Sequence, residues 1–165
     1  MKKTLLLLTI ALSALSVSAQ KDSKAIGLHL NYGGKVENLG IGVKGQYFAT
    51  DNVRFEASID HFFKRNNLSM WGINANVHYV INLGDKFRFY PLAGLAYTNW
   101  SLTYETEKSG KTYVETDHSH RIGLNLGVGC EYDLGRNTFA SFEIKDQVLN
   151  NYGQVVASLG VGYRF

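Results

Sequence analysis

Period-two alternation of apolar and polar residues runs through most of the chain. Ile26, Leu28, Leu30 and Tyr32 share one face, with Gly27, His29 and Asn31 on the other. Leu39, Ile41, Val43 and Tyr47 oppose Gly40, Gly42, Lys44 and Gln46. Val53, Phe55, Ala57 and Ile59 oppose Arg54, Glu56, Ser58 and Asp60, and Trp71, Ile73, Ala75, Val77 and Tyr79 oppose Gly72, Asn74, Asn76 and His78. The second half repeats the pattern. Residues 87–97, 122–132, 140–144 and 155–165 each carry an apolar face that alternates with a polar or small one. This predicts eight strands, most of them reaching the roughly nine to eleven residues that cross a bilayer at a tilt. Turn chemistry separates them at Thr50-Asp51-Asn52, Asn82-Leu83-Gly84-Asp85 and Leu134-Gly135-Arg136-Asn137.

Alternation alone leaves open which face is inside, because a soluble eight-stranded barrel would bury the apolar set. The glycines decide against that. Of the 17, ten fall on the polar face (Gly27, Gly40, Gly42, Gly72, Gly94, Gly123, Gly127, Gly129, Gly160 and Gly162). Water has no need of residues that small, whereas the narrow lumen of a closed eight-stranded barrel does. The aromatic residues give the same direction. With the N-terminus placed at the bottom, the lower end of the apolar face collects Tyr47, Phe55, Tyr79, Phe87, Phe89, Tyr132, Phe142, Tyr163 and Phe165. Its upper end collects Tyr32, Trp71, Tyr97 and Trp100, and mainly aliphatic residues lie between. Two girdles around an aliphatic band suit two headgroup levels. The expected fold is therefore all-β: an eight-stranded antiparallel up-and-down transmembrane β-barrel. It must be closed, because hydrocarbon tolerates no open sheet edge.

Composition narrows the picture further. At 165 residues the chain holds one domain, and its single Cys excludes a disulfide framework or a Cys-rich zinc site. A formal charge of +3 with dispersed basic residues argues against nucleic acid as a partner. Lys2 and Lys3 precede an apolar run from Leu5 to Val17 that closes on Val17-Ser18-Ala19, the pattern of a cleaved secretory signal over residues 1–19. Residues 20–165 would then form the barrel domain.

The inward face carries Lys44, Arg54, Glu56, Asp60, Arg88, Glu131, Glu143, Lys145 and Arg164, nearly balanced in sign. In a dry lumen these charges should form a connected network. An ion path is the functional alternative for the same groups. For a lipid-modifying enzyme at the rim, the candidate groups are His29, His61, His78, Asp117 and Ser119, without a recognisable triad. His118 and His120 share a strand face but lack a third ligand nearby, so no metal, cofactor or catalytic residue is expected. Cys130 falls on the lipid face as a small hydrophobe. Pro91 predicts a bulge or local irregularity. Near Asn99-Trp100 the apolar parity slips from odd to even, which predicts a bulge at the rim. Beyond it, residues 102–118 are rich in Thr and Tyr on both sides of Lys108-Ser109-Gly110-Lys111, which predicts a hairpin standing above the barrel.

The terminal Val161-Gly162-Tyr163-Arg164-Phe165, the segment Phe89-Tyr90-Pro91-Leu92-Ala93-Gly94-Leu95 and the N-terminal signal carry a resemblance. Together they resemble the small eight-stranded outer-membrane barrels of Gram-negative bacteria, the OmpX-like proteins and the membrane domain of OmpA-like proteins. The resemblance spans residues 20–165 and implies a monomeric barrel in the outer membrane with both termini in the periplasm. Tyr163 and Phe165 would form the signal read by the barrel-assembly machinery, and no peptidoglycan-binding domain is expected after the last strand. It further implies a non-enzymatic role in envelope structure or surface contact. The partners would be outer-membrane lipids and a surface or host protein met through the 102–118 hairpin.

Overall fold

Each alternating stretch forms a strand in a computed structural model that describes residues 22–65, 67–108, 111–149 and 152–165. The strands are β1 (Lys24–Gly33), β2 (Asn38–Phe48), β3 (Val53–Arg65), β4 (Leu68–Tyr79), β5 (Ile81–Asn82), β6 (Phe87–Lys108), β7 (Lys111–Gly135), β8 (Thr138–Leu149) and β9 (Tyr152–Arg164). All pairings are antiparallel between chain neighbours, except that β1 meets β9 and β4 meets β6. The sheet thus closes on itself. The two-residue β5 continues the line of β4 against β6 in unchanged register, so the wall has eight strand positions. The signal segment, residues 1–19, lies outside the described residues.

Local chemistry sets the turns. The β7–β8 hairpin turns on Arg136 and Asn137, both at positive φ (49° and 66°), the geometry of a two-residue loop whose twist matches the flanking strands. Between β2 and β3 the Thr50 hydroxyl accepts from the backbone N–H of Val53 at 2.9 Å. The seam between the chain ends is zipped by reciprocal backbone bonds, Phe165 N–H to Lys24 O at 2.9 Å and Lys24 N–H to Phe165 O at 3.0 Å.

Two local expectations are corrected. Trp100 does not belong to the upper girdle: it is buried inside, and β6 keeps continuous register with both neighbours through Asn99 and Trp100. The even parity there is the inward parity, so the apolar residue marks a filled lumen mouth and not a bulge. The irregularity expected around Pro91 is present, as a break in the ladder without a register shift on either side. The irregularity falls on the facing strand, where the ladder is interrupted between His78 and Ile81. Proline offers no N–H to Tyr79 opposite it, while on the other edge the β3–β4 pairing runs on, Val80 donating its N–H to Asn52 O at 2.6 Å and accepting at its carbonyl from Asn52 Nδ2 at 2.9 Å.

The faces sort as the glycines and aromatics indicate. Leu28, Leu30, Ile59, Leu95, Leu124, Leu126, Leu159 and Val161 are exposed on the outside, while Asn31, Lys44, Arg54, Glu56, Asp60, Asn74, Asn125 and Glu131 are buried within. Such an inside-out distribution suits hydrocarbon as the surrounding solvent.

Candidate functional site: the sealed lumen and the tall hairpin

Strand parity carries large residues inward at both ends of the barrel. At the top, Val36, Phe62, Met70, Ala96, Trp100, Leu149 and Val156 form one buried cluster. At the bottom, Phe48, Val80, Tyr90 and Leu92 form a second. Phe139 adds to that end, its ring lying under the guanidinium of Arg164 at 4.3 Å. Glycines on neighbouring strands provide the sockets. A Cβ at Gly129 would run into the Tyr90 ring, and one at Gly162 into the Phe139 ring, closer than real side chains approach. Gly129→Val should therefore lower the unfolding free energy by about 1–3 kcal/mol, the cost of overpacking a filled core. Urea titration in phosphatidylcholine vesicles measures this, and an unchanged midpoint would mean the lumen is not packed there.

Between the two plugs lies the polar network. Glu131 accepts from Arg54 Nη1 at 2.5 Å and from Arg164 Nη2 at 2.8 Å. Arg164 and Arg88 both donate to Asp133 Oδ1 at 2.7 Å, forming a clasp at the lower rim. Glu56 pairs with Lys44 at 3.3 Å and accepts from Gln46 at 2.9 Å and Asn76 at 3.3 Å. Glu143 pairs with Lys145 at 3.3 Å and accepts from the Tyr90 hydroxyl at 3.2 Å. Among the described residues Asp60 joins no lysine or arginine directly. It is held by His29 at 2.5 Å, Asn31 at 2.7 Å, Ser58 at 3.1 Å and Asn74 at 2.6 Å. Above these, Asn125, Gln147 and Gln154 continue a chain of amide bonds towards the upper plug. The nine charged residues expected in the lumen all face inward, and Asp133, just past the alternating stretch that ends at Tyr132, joins them. Inward parity at residue 133 is the signal that would have found it.

His78 is the hub. Its ring stacks on Tyr90 with centroids 4.6 Å apart. Arg54 Nε and Nη2 both face its Nδ1, at 3.2 and 2.8 Å. A guanidinium is always protonated, so Nδ1 accepts and the ring proton sits on Nε2. That nitrogen faces Glu56 Oε1 at 3.7 Å. Glu56, His78 and Glu143 bring their ligand atoms within 4.8 Å of one another, a donor set that zinc accepts. Here a metal would have to displace the Nε2 proton, and Lys44 and Lys145 already neutralise the two carboxylates. With both carboxylates already paired by lysines, the set fits an internal polar cluster better than a cation, and among the described residues Nε2 itself has no hydrogen-bond partner.

The remaining candidate groups are scattered. His29 and His78 are buried in the lumen, whereas His61 stands outside, edge-on to Phe63 with centroids 5.8 Å apart. Asp117 is exposed, and Ser119 accepts from Arg121 Nε at 3.3 Å. His118 and His120 bond Ser101 and Tyr97 through Nδ1, at 3.0 and 2.8 Å. Cys130 is half-buried on the outer face. Of the girdle residues other than Trp100, Tyr32, Trp71, Tyr47, Phe55, Tyr79, Phe87, Tyr132, Phe142, Tyr163 and Phe165 are exposed outside, with Tyr97 and Phe89 half-buried there.

The other feature that breaks the barrel's symmetry is its height. Pairing of β6 with β7 continues without interruption from Leu102↔Asp117 to Lys108↔Lys111. β4 leaves β6 at Leu68↔Leu102, and β8 leaves β7 at Leu149↔Gly123. A two-stranded ribbon therefore stands above the rim.

A family model described as the outer membrane protein beta-barrel domain matches residues 5–165. The chain belongs to that family. Membership places this outer-membrane barrel in lipid, as its exposed aliphatic band requires. Among solved structures, the N-terminal β-barrel domain of OprF from Pseudomonas aeruginosa superposes with a TM-score of 0.71 at 23% identity, over 88% of this chain and 98% of that one. Ail, the attachment invasion locus protein of Yersinia pestis, gives 0.63 at 14% identity, over 88% and 99%. Neisserial surface protein A gives 0.62 at 16%, over 87% and 96%. At these identities the likeness is one of fold. No curated protein matches the chain.

Proposed function

We propose that the protein is a non-enzymatic integral outer-membrane barrel that makes contacts at the cell surface through residues 102–118, with both termini in the periplasm. The observation that carries this reading is the contrast between a filled lumen and a continuous ribbon above it. The lumen carboxylates are each held by neighbouring lumen side chains, whereas the ribbon adds backbone that no bilayer contact needs. Of the similar structures, one is named a surface protein and another an attachment invasion locus protein. In this reading residues 1–19 direct export, and the exposed Tyr163 and Phe165 on the final strand are read by the assembly machinery.

Replacing residues 103–117 with a short turn tests it. Loop length has a modest effect on closure entropy, so the shortened form should still reach the outer membrane and migrate heat-modifiably. Its binding to whole host cells should drop sharply against that of the intact protein. A shortened form that assembles and binds like the intact one would defeat the proposal.

A further inference from the structure

We infer that the open edge of β7 above the rim is a homotypic docking strand, pairing antiparallel with the same edge of a second copy in an apposed membrane. The inference rests on the reading of the hairpin as the surface element and goes further, naming the edge and its occupant. The ribbon's two edges are unequal. β6 is accompanied by β4 to Leu102, and the N–H of Thr103 still donates to Asn67 O at 3.0 Å. Among the described residues no strand pairs with β7 on its β8 side from Lys111 to Ile122, since the β7–β8 ladder ends at Gly123↔Leu149.

Strand parity fixes which backbone groups this edge presents. The N–H of Asp133 donates towards β6, to Lys86 O at 2.8 Å. Odd residues of β7 therefore bond β6, and the even ones, Thr112, Val114, Thr116, His118, His120 and Ile122, turn N–H and C=O to the open side. An unpaired edge of this length is a template for another strand.

The sequence along the edge selects the occupant. Lys111-Thr112-Tyr113-Val114-Glu115-Thr116-Asp117 is self-complementary about Val114. In antiparallel pairing with itself, Lys111 stands opposite Asp117, Thr112 opposite Thr116 and Tyr113 opposite Glu115. Opposite charges and paired threonines are favourable cross-strand neighbours. Shifting the dyad to Thr116 would set Glu115 against Asp117 and Lys111 against Arg121, which repels. Antiparallel edges point the two barrels in opposite directions, so copies in one membrane cannot pair this way and copies in facing membranes can.

The test uses phosphatidylcholine vesicles carrying the full protein, with clustering followed by light scattering. Intact protein should cluster them. Thr116→Pro removes an open-edge donor without removing a bond to β6 and should abolish clustering, whereas Glu105→Pro, on the β6 edge, should leave it. Lys111→Asp should abolish clustering, and the exchange Lys111→Asp with Asp117→Lys should restore it. That pair of variants keeps the question decidable if Thr116→Pro fails to fold. Vesicles that never cluster, clustering that survives Lys111→Asp, or an exchange that does not restore it would each overturn the inference. If host-cell binding falls on shortening the hairpin while vesicles never cluster, the surface-contact reading stands and the partner is a foreign strand.

Discussion

Glu131→Ala is expected to lower the unfolding free energy by about 3–5 kcal/mol, the cost of stranding a buried charge. The carboxylate sits between two guanidiniums, and the effect of losing it differs for each. Arg164 keeps Asp133 at 2.7 Å. Arg54 is fully buried, and among the described residues its ion-pair partner is Glu131 alone. It would be left with His78 and the faces of Phe48 and Tyr90, at 5.3 and 4.6 Å from its guanidinium carbon. Asp133→Ala removes a carboxylate of the same kind at the partly exposed lower rim, where water screens the loss, and should cost about 1 kcal/mol or less. Urea titrations of both variants in the same vesicles give the comparison. Equal costs would mean that water reaches Glu131 and that the lower plug does not seal the lumen.

Leu159→Arg should lower stability by about 2–4 kcal/mol, the range for a lipid-facing cation near the bilayer midplane. Leu159 is exposed on β9 and its partners across the ladder are Leu30 and Phe142, so neither cross-strand neighbour answers a charge there. Leu126 is equally exposed but stands opposite Asp146, itself exposed on the outer face of β8. Leu126→Arg would gain a cross-strand carboxylate and should cost clearly less than Leu159→Arg. The same titrations read both. A Leu159→Arg protein as stable as the unsubstituted one would place that face in water.

The architecture was legible because a membrane barrel writes one rule along every strand: parity assigns the solvent. Gly127 and Leu126, adjacent in sequence, fall on opposite faces for that reason. What misled was treating inward as synonymous with polar. Phe48, Phe62, Val80, Phe139, Leu149 and Val156 all have inward parity, and they are apolar because each lies near a strand end, where the lumen must be closed. Trp100 reads as a girdle residue for the same reason, its aromatic character masking its inward parity. His29 and His78 stood on the inward face from the start, yet as isolated residues they resembled chemistry. Only the folded barrel brings His78 to Arg54 from the adjacent strand and Arg54 to Glu131 from across the lumen, 77 positions along the chain. Pairings at that separation depend on which walls face each other, which alternation along a single strand cannot supply. The Asn52–Val80 bonds, which carry the β3–β4 pairing one step past Tyr79, join two turns and leave no trace in the pattern.

The central claim is that this barrel is inside-out, with aliphatic residues in lipid and charges sealed within. The most direct measurement places a nitroxide singly at each position from Ile122 to Tyr132 on β7 and compares collision rates with oxygen and with a water-soluble nickel chelate in bilayers. Oxygen accessibility should oscillate with period two, with maxima at Ile122, Leu124, Leu126, Val128, Cys130 and Tyr132 and low collision with both reagents at the odd positions. Maxima at Gly123, Asn125 and Gly127, or high nickel accessibility at Asn125 and Glu131, would contradict it.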